Sequence, residues 1–172
     1  TARGGEWKTL FDGSSLDGWR ALGTANWELG DGAVTATSGS GFLVSEDSYD
    51  DFQLKLEFWV DEPANSGVFI RGADPQRITD RNSYEINIYD TRADQTYRTG
   101  GIVHVAAPSA MINAGGQWNT FEIHAQGSEL IVNLNGTQTV ATNDDQHSSG
   151  PFALQYAAGT VRFRNVQIRS LD

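Results

Sequence analysis

The chain has 172 residues, with 12 Lys and Arg against 22 Asp and Glu and a formal net charge of −10. No basic cluster stands in it, which excludes nucleic acid as the expected partner; a polyanionic glycan would be repelled, a neutral sugar would not. The chain has no cysteine, so disulfides, thiol nucleophiles and Cys-based zinc sites are excluded, and no run of about 18 apolar residues marks a membrane span.

A single domain over residues 1–172 is expected, and 19 glycines suit a turn-rich β protein better than a helical one. The chain opens TARGGEW without Met, which fits a mature or trimmed form.

Taken in chain order, DGSSLDGW (12–19) reads as a loop anchoring Trp19, and NWELGDGAVTAT (26–37) as a hairpin turning at Gly30-Asp31-Gly32. GFLVS (41–45) is a short strand. DFQLKLEFWV (51–60) alternates most clearly: Phe52, Leu54, Leu56, Phe58 and Val60 face inward, and Gln53, Lys55, Glu57 and Trp59 face outward. SGVFIRG (66–72) puts Val68 and Ile70 on one face, Phe69 and Arg71 on the other. SYEINIYD (83–90) puts Tyr84, Ile86 and Ile88 on one face, Glu85, Asn87 and Tyr89 on the other. Residues 91–117 form the longest irregular region, with TGGIVHV (99–105) read as a short strand inside it.

QWNTFEIHAQG (117–127), SELIVNLNG (128–136) and TQTVATN (137–143) make a meander with an Asn135-Gly136 turn. GPFALQY (150–156) and TVRFRNVQIRS (160–170) close the chain. In the last strand the inward parity switches from Val161 and Phe163 to Val166 and Ile168, which predicts a β-bulge near Asn165. About a dozen short strands without a helical period predict an all-β, two-sheet antiparallel sandwich. An up-and-down barrel is the lesser alternative.

If the three central strands are neighbours, Glu57, Trp59, Phe69, Arg71, Glu85, Asn87 and Tyr89 share one outward surface. Aromatic rings there would stack on the C–H faces of a sugar, and the polar groups would bind its hydroxyls. Glu85 and Asp90 could act as the two carboxylates of a glycoside hydrolase; a regular strand points them to opposite faces, so convergence needs a bulge. Among the histidines, His104 and His124 are candidates for a general base, and His147 sits in a solvated turn. Trp19, Trp27 and Trp118 read as core anchors. A divalent metal such as Ca²⁺ could be held by loop oxygens. Glycine-rich nucleotide loops, Gly-x-Ser-x-Gly and His-Glu-x-x-His are all missing.

In order, WKTLFDGSSLDGW, DFQLKLEFWV, NSGVFIRG, YEINIYD, TGGIV, QWNTFEIHAQG, LNG, ALQY and VRFRNVQIRSL resemble the 3-keto-disaccharide hydrolase domain family over residues 6–171. The resemblance implies a concanavalin A-like jelly roll in an exported protein, periplasmic or secreted, and cleavage of glycosides whose sugar carries a ketone at C3. It carries over recurrent polar positions onto Asn65, Ser66, Arg71, Tyr84, Glu85 and Asp90. Where the family often has Gln this chain has Asn87, and where it often has Arg this chain has Trp59. Together with the readings of the outward face and of the histidines, this makes Arg71, Glu85, Asp90, His104 and His124 the expected catalytic residues. Glu57, Trp59, Asn65, Phe69, Asn87 and Tyr89 are the expected substrate contacts, and an oxidised glycoside is the expected partner. The alternatives are a carbohydrate-binding module on the same face and an endo-glucanase using Glu85 and Asp90.

Overall fold

The structure, a computed structural model, describes residues 4–171. Thirteen strands follow in chain order: β1 (Lys8–Phe11), β2 (Trp19–Gly23), β3 (Glu28–Gly30), β4 (Ala33–Ala36), β5 (Gly41–Ser45), β6 (Phe52–Val60) and β7 (Asn65–Ile70). Then come β8 (Tyr84–Ile88), β9 (Trp118–Gln126), β10 (Glu129–Leu134), β11 (Thr137–Asn143), β12 (Ala153–Ala158) and β13 (Val161–Ser170), with a single 3-10 turn at Gln95–Tyr97. They form two antiparallel sheets. The larger runs β11-β10-β9-β6-β13-β4-β3, with β1 also paired to β13; the smaller runs β2-β5-β12-β7-β8.

The alternation of apolar residues builds the core between the sheets. Phe52, Leu54, Leu56, Phe58 and Val60 of β6, Phe121 and Ile123 of β9, and Val161 and Phe163 of β13 pack with Leu43, Val68, Ile70, Tyr84, Ile86 and Leu154 in one cluster. The Phe58 and Phe121 rings lie 4.8 Å apart. The bulge in β13 is present: Asn165 has φ 53° and the pairing with β6 shifts between Arg164 and Gln167. The extra residue restores the inward parity, so Val166 and Ile168 are buried as Val161 and Phe163 are. Both hairpin turns also form, with positive φ at Asp31 and Gly32 and at Asn135 and Gly136.

Three expectations need correction. β6 and β7 follow one another in sequence but lie in different sheets, so Glu57 and Trp59 do not share a surface with Phe69, Glu85 and Asn87. Residues 99–105 do not form a strand. Ile102 makes single bridges to Ile86 and Ala106, and the chain turns tightly through His104 at φ 65°. Trp118 is on the outer face of the larger sheet rather than in the core, with the Arg164 and Arg162 guanidinium groups 3.7 and 4.9 Å from its ring.

Candidate functional site on the outer face of the smaller sheet

Strand register builds this face row by row. Arg20, Val44, Ala153, Phe69 and Glu85 stand opposite one another across the five strands, and the next row is Leu22, Phe42, Gln155, Gly67 and Asn87. Asn65 shares the outward parity of Gly67 and Phe69, and Tyr89 continues that of Glu85 and Asn87 beyond β8, its N–H donating to Thr99 Oγ1 at 2.9 Å. The loop between β7 and β8 folds back over part of this face. Its Ile78 packs with Val44, Phe69 and Ala153, and its Pro75 carbonyl accepts from Arg20. Phe69 is therefore buried, its ring 5.2 Å from that of Phe42; it is a floor residue rather than an open stacking platform.

Glu85 is the distinctive group. Half-buried, it receives no hydrogen bond on its carboxylate from any described residue. Burial, with the charge of Asp80 adding to it and that of Arg92 opposing it, pushes its pKa up to about 7. The carboxyl stands over a notch, because a Cβ at Gly67 would come 3.3 Å from both Glu85 Oε2 and Phe69 Cε1.

The rest of the constellation comes from loops. Gly100–Val103 runs along the open edge of β8: Asn87 N–H donates to Gly101 O, Gly100 N–H to Asn87 O, and Val103 N–H to Glu85 O, at 2.9–3.0 Å. This edge strip delivers His104, whose Nε2 is 3.1 Å from Asp80 Oδ2 and whose ring meets Tyr97 edge-on. The Arg92 side chain makes one hydrogen bond, from Nη1 to Asp94 O at 2.7 Å, and a 3.8 Å ion pair with Asp94. Asn87 donates to Tyr97 O at 2.7 Å and is buried with Oδ1 unpartnered. Asp80 and Arg92 were not singled out from the sequence, because loop residues obey no periodicity; the length of the 91–117 segment was the signal that pointed near Arg92.

Other expected site residues lie elsewhere. Arg71 was expected to face outward with Phe69. Its φ of 53° turns it back, and it is 1% exposed. Its guanidinium donates to Asp50 O from Nε and Nη2, to Gly127 O and His147 O from Nη1, and to Asp51 Oδ1 from Nη2, at 2.6–3.2 Å. Its five N–H groups are spent on three loops, so it does not face a sugar on this sheet. Asp90 is also a clamp. Oδ1 accepts from Thr99 Oγ1 at 2.6 Å, and Oδ2 from the backbone N–H groups of Ala114 and Gly115 at 2.8 and 2.9 Å. It does not join Glu85 as a catalytic pair. His124 lies on the larger sheet, between Gln53 and Glu129 at 3.2 and 3.1 Å. Glu57 is bonded there to Arg164 and Asn165. Trp59 walls a separate cleft of about 480 Å³ with Asp61, Glu62 and Asn113, where β6 runs out. Of the family's other recurrent positions, the Ser66 hydroxyl donates to Gln155 O at 2.5 Å and Tyr84 Oη to Asp144 Oδ1 at 2.5 Å, so both brace the interior. Among the described residues no group of three or more His, Cys, Asp or Glu could hold a metal ion, and no helix is long and apolar enough to cross a membrane.

A family model described as 3-keto-alpha-glucoside-1,2-lyase-like domain matches residues 6–169. The chain belongs to this family. A 3-keto-disaccharide hydrolase of Bacteroides thetaiotaomicron is 31% identical over 74 residues, covering 36% of this chain and 26% of that protein. The aligned stretch thus spans about a quarter of the relative's length. A protein from Parabacteroides distasonis ATCC 8503, named a glycosyl hydrolase with that activity unproven, superimposes with a TM-score of 0.87 at 19% identity, over 96% of this chain and 94% of that one. The carbohydrate-binding module CBM66 from Bacillus subtilis superimposes with a TM-score of 0.71 at 18% identity, over 89% and 96% of the two chains. These two likenesses show the fold alone. The all-β sandwich is the one the sequence resemblance implied, and the lyase-like family supports a carbohydrate-related function for its member here.

Proposed function

We propose that this member of the lyase-like family cleaves the glycosidic bond of 3-keto-glycosides, with Glu85 as the base. One observation carries the reading: on this sheet face stands a desolvated carboxyl that has no hydrogen-bond donor among the described residues, whose pKa is pushed up to about 7, and that feels the charges of Asp80, bonded to His104, and of Arg92. A structural carboxylate is usually hydrogen-bonded, and its pKa then falls. A group poised near neutrality suits proton abstraction.

The chemistry follows from the ketone. A carbonyl at C3 acidifies the C2 hydrogen. The Glu85 carboxylate takes that proton, and the C–H electron pair moves to give an enolate whose charge rests on the C3 oxygen. Arg92 is near enough to Glu85 to influence its titration, and in this scheme its guanidinium is assigned to the developing oxyanion. The enolate then collapses: a C1=C2 double bond forms, the C3 carbonyl returns, and the C1–O bond breaks with its electron pair leaving on the oxygen. His104, oriented by Asp80, gives that oxygen its proton. Water adding to the enone, with OH to C1 and H to C2, completes a net hydrolysis. Arg71 and Asp90 take no part in this scheme, and no step runs through a metal.

The test is release of the leaving group from matched 3-keto and unoxidised aryl glucosides, in both anomers. The expected result is release from the keto substrate only, lost in Glu85→Gln. Full activity in Glu85→Gln, or equal release from the unoxidised glucoside, overturns the proposal. Release from neither substrate, with retained sugar affinity, would instead mark a carbohydrate-binding module.

A further inference from the structure

The cleft of about 480 Å³ walled by Trp59 has no part in the cleavage scheme, and Glu85 does not line it. Hydrogen bonds fix its walls. Gly116 N–H donates to Val60 O at 2.7 Å, and Asp90 holds the N–H groups of Ala114 and Gly115. Asn113 Oδ1 accepts from the buried Arg98. Gly115 runs so close to the chain leaving β6 that a Cβ on it would stand 3.0 Å from Glu62 Cα. Gly115 and Gly116 therefore bring only backbone to the cleft. A wall pinned in this way needs no ordering when a ligand arrives, which spares that part of the cost of binding.

What the lining leaves unspent defines the ligand. Trp59 is partly exposed. Its register partner Trp118 carries the Arg164 guanidinium 3.7 Å from its ring, whereas among the described residues no guanidinium stacks on Trp59. The Trp59 indole N–H has no partner among the described residues and, unlike that of Trp27, is not buried, so it is open to solvent. Asp90 is spent, since both its oxygens accept from the protein. Asp61 accepts from Thr160 N–H on Oδ1 and keeps Oδ2 without a partner among the described residues. Glu62 and Thr91 are exposed with no side-chain bond to any described residue, and Asn113 keeps its Nδ2 donors. The cleft thus offers an apolar ring with both donors and acceptors around it. A hexose needs this mixture, with C–H bonds to lay on the indole and hydroxyls that both donate and accept. No Lys, Arg or His lines the cleft, so an anionic sugar would meet carboxylates with no counter-charge. A simple cation would use the carboxylates and the indole but none of the donors.

We propose that this cleft is a second, non-catalytic binding site for a neutral sugar unit. It stands independently of the cleavage reading. The test follows the indole N–H resonances of the five tryptophans by NMR, with that of Trp59 identified by its loss in Trp59→Phe. The probes are unoxidised methyl glucosides in both anomers, methyl glucuronosides, and butylammonium. The expected result is a saturable shift of the Trp59 resonance with a methyl glucoside, with the matching glucuronoside bound at least about tenfold more weakly. Glu62→Ala should weaken the methyl glucoside severalfold and narrow its advantage over the glucuronoside. Glu85→Gln should leave the Trp59 response intact. Glu62 is exposed; if Trp59→Phe fails to fold, calorimetry on the parent and on Glu62→Ala carries the test. No response of Trp59 to either methyl glucoside, equal affinity for the glucuronoside, tighter binding of butylammonium, or affinities unchanged in Glu62→Ala overturns the site. So does a response lost in Glu85→Gln, which would put the sugar at Glu85 instead. Cleavage of a 3-keto-glucoside would still stand in those cases. Conversely, an intact Trp59 response on a protein that cleaves neither the keto nor the unoxidised glucoside would sink the cleavage reading alone.

Discussion

Phe69 and Glu85 face each other across β7 and β8, and the buried ring is part of the reason the carboxyl beside it is hard to ionise. Desolvation is the largest influence on Glu85, ahead of the charges of Asp80 and Arg92. The pH dependence of kcat/KM on a 3-keto-glucoside should therefore rise through an inflection near 7 as Glu85 loses its proton. Glu85→Gln should lower kcat/KM by about 10²–10⁴-fold, the range for loss of a general base. A profile flat between pH 5 and 8 would count against Glu85.

The same shift has a stability consequence of definite sign. The folded value lies above the ordinary 4.5, so the protonated carboxyl favours the fold below about pH 4.5, and that contribution is lost as pH rises through about 7. Relative to the parent protein, Glu85→Gln should gain stability between pH 4 and pH 8, by no more than about 3 kcal/mol. Urea melts at both pH values check this.

Arg71 and Arg92 should separate cleanly. Arg71→Met leaves the carbonyls of Asp50, Gly127 and His147 without their donor. It should cost about 3–5 kcal/mol of stability, the usual penalty for breaking a buried charged network, with activity per folded molecule within tenfold of the parent. Arg92→Met should do the reverse, with stability changed by less than about 1 kcal/mol and kcat lowered at least a hundredfold. Chemical melts and kinetics on the same preparations decide.

Gly67→Ala tests the notch. Its new methyl would press on Glu85 Oε2, the Phe69 ring and the Ile86 carbonyl, each 3.3 Å away. The carboxyl is the most mobile of the three and should yield. Since a displacement near 1 Å can cost about a hundredfold in rate, activity should fall by tenfold or more while the melting midpoint moves little. An unaltered rate would show that the notch is not used.

Asp90→Asn should behave as a structural change. It weakens the hold on the Ala114 and Gly115 N–H groups and on Thr99, so a stability loss of about 1–3 kcal/mol is expected. Activity per folded molecule should stay within tenfold, where a glucanase-type acid or nucleophile would lose nearly all of it.

Much of this architecture was legible in the alternation of the chain. The outward parity of Glu85 against Ile86, the core face of β6 and the bulge at Asn165 all follow from side chains taking opposite faces in turn. Alternation says which face a residue occupies but not which strand is its neighbour, so the crossing from one sheet to the other between Val60 and Asn65 was hidden. Glu57 and Trp59 were placed with the wrong partners as a result. Arg71 was misread for a local reason: one backbone angle in the left-handed region reverses its direction, and no side-chain pattern announces it. Asp80 and Arg92 reach Glu85 from loops whose paths are set by tertiary contacts, here the packing of Ile78 and the edge pairing of residues 100–103.

That edge pairing has a kinetic corollary. The backbone bonds that seal β8 and the placement of His104 belong to the same short segment, so one local opening would expose the strand and withdraw the histidine together. Amide protons of Asn87, Gly100 and Val103 should then exchange with deuterium as a single unit, and the rate of that exchange would set a clock for how often the site comes apart.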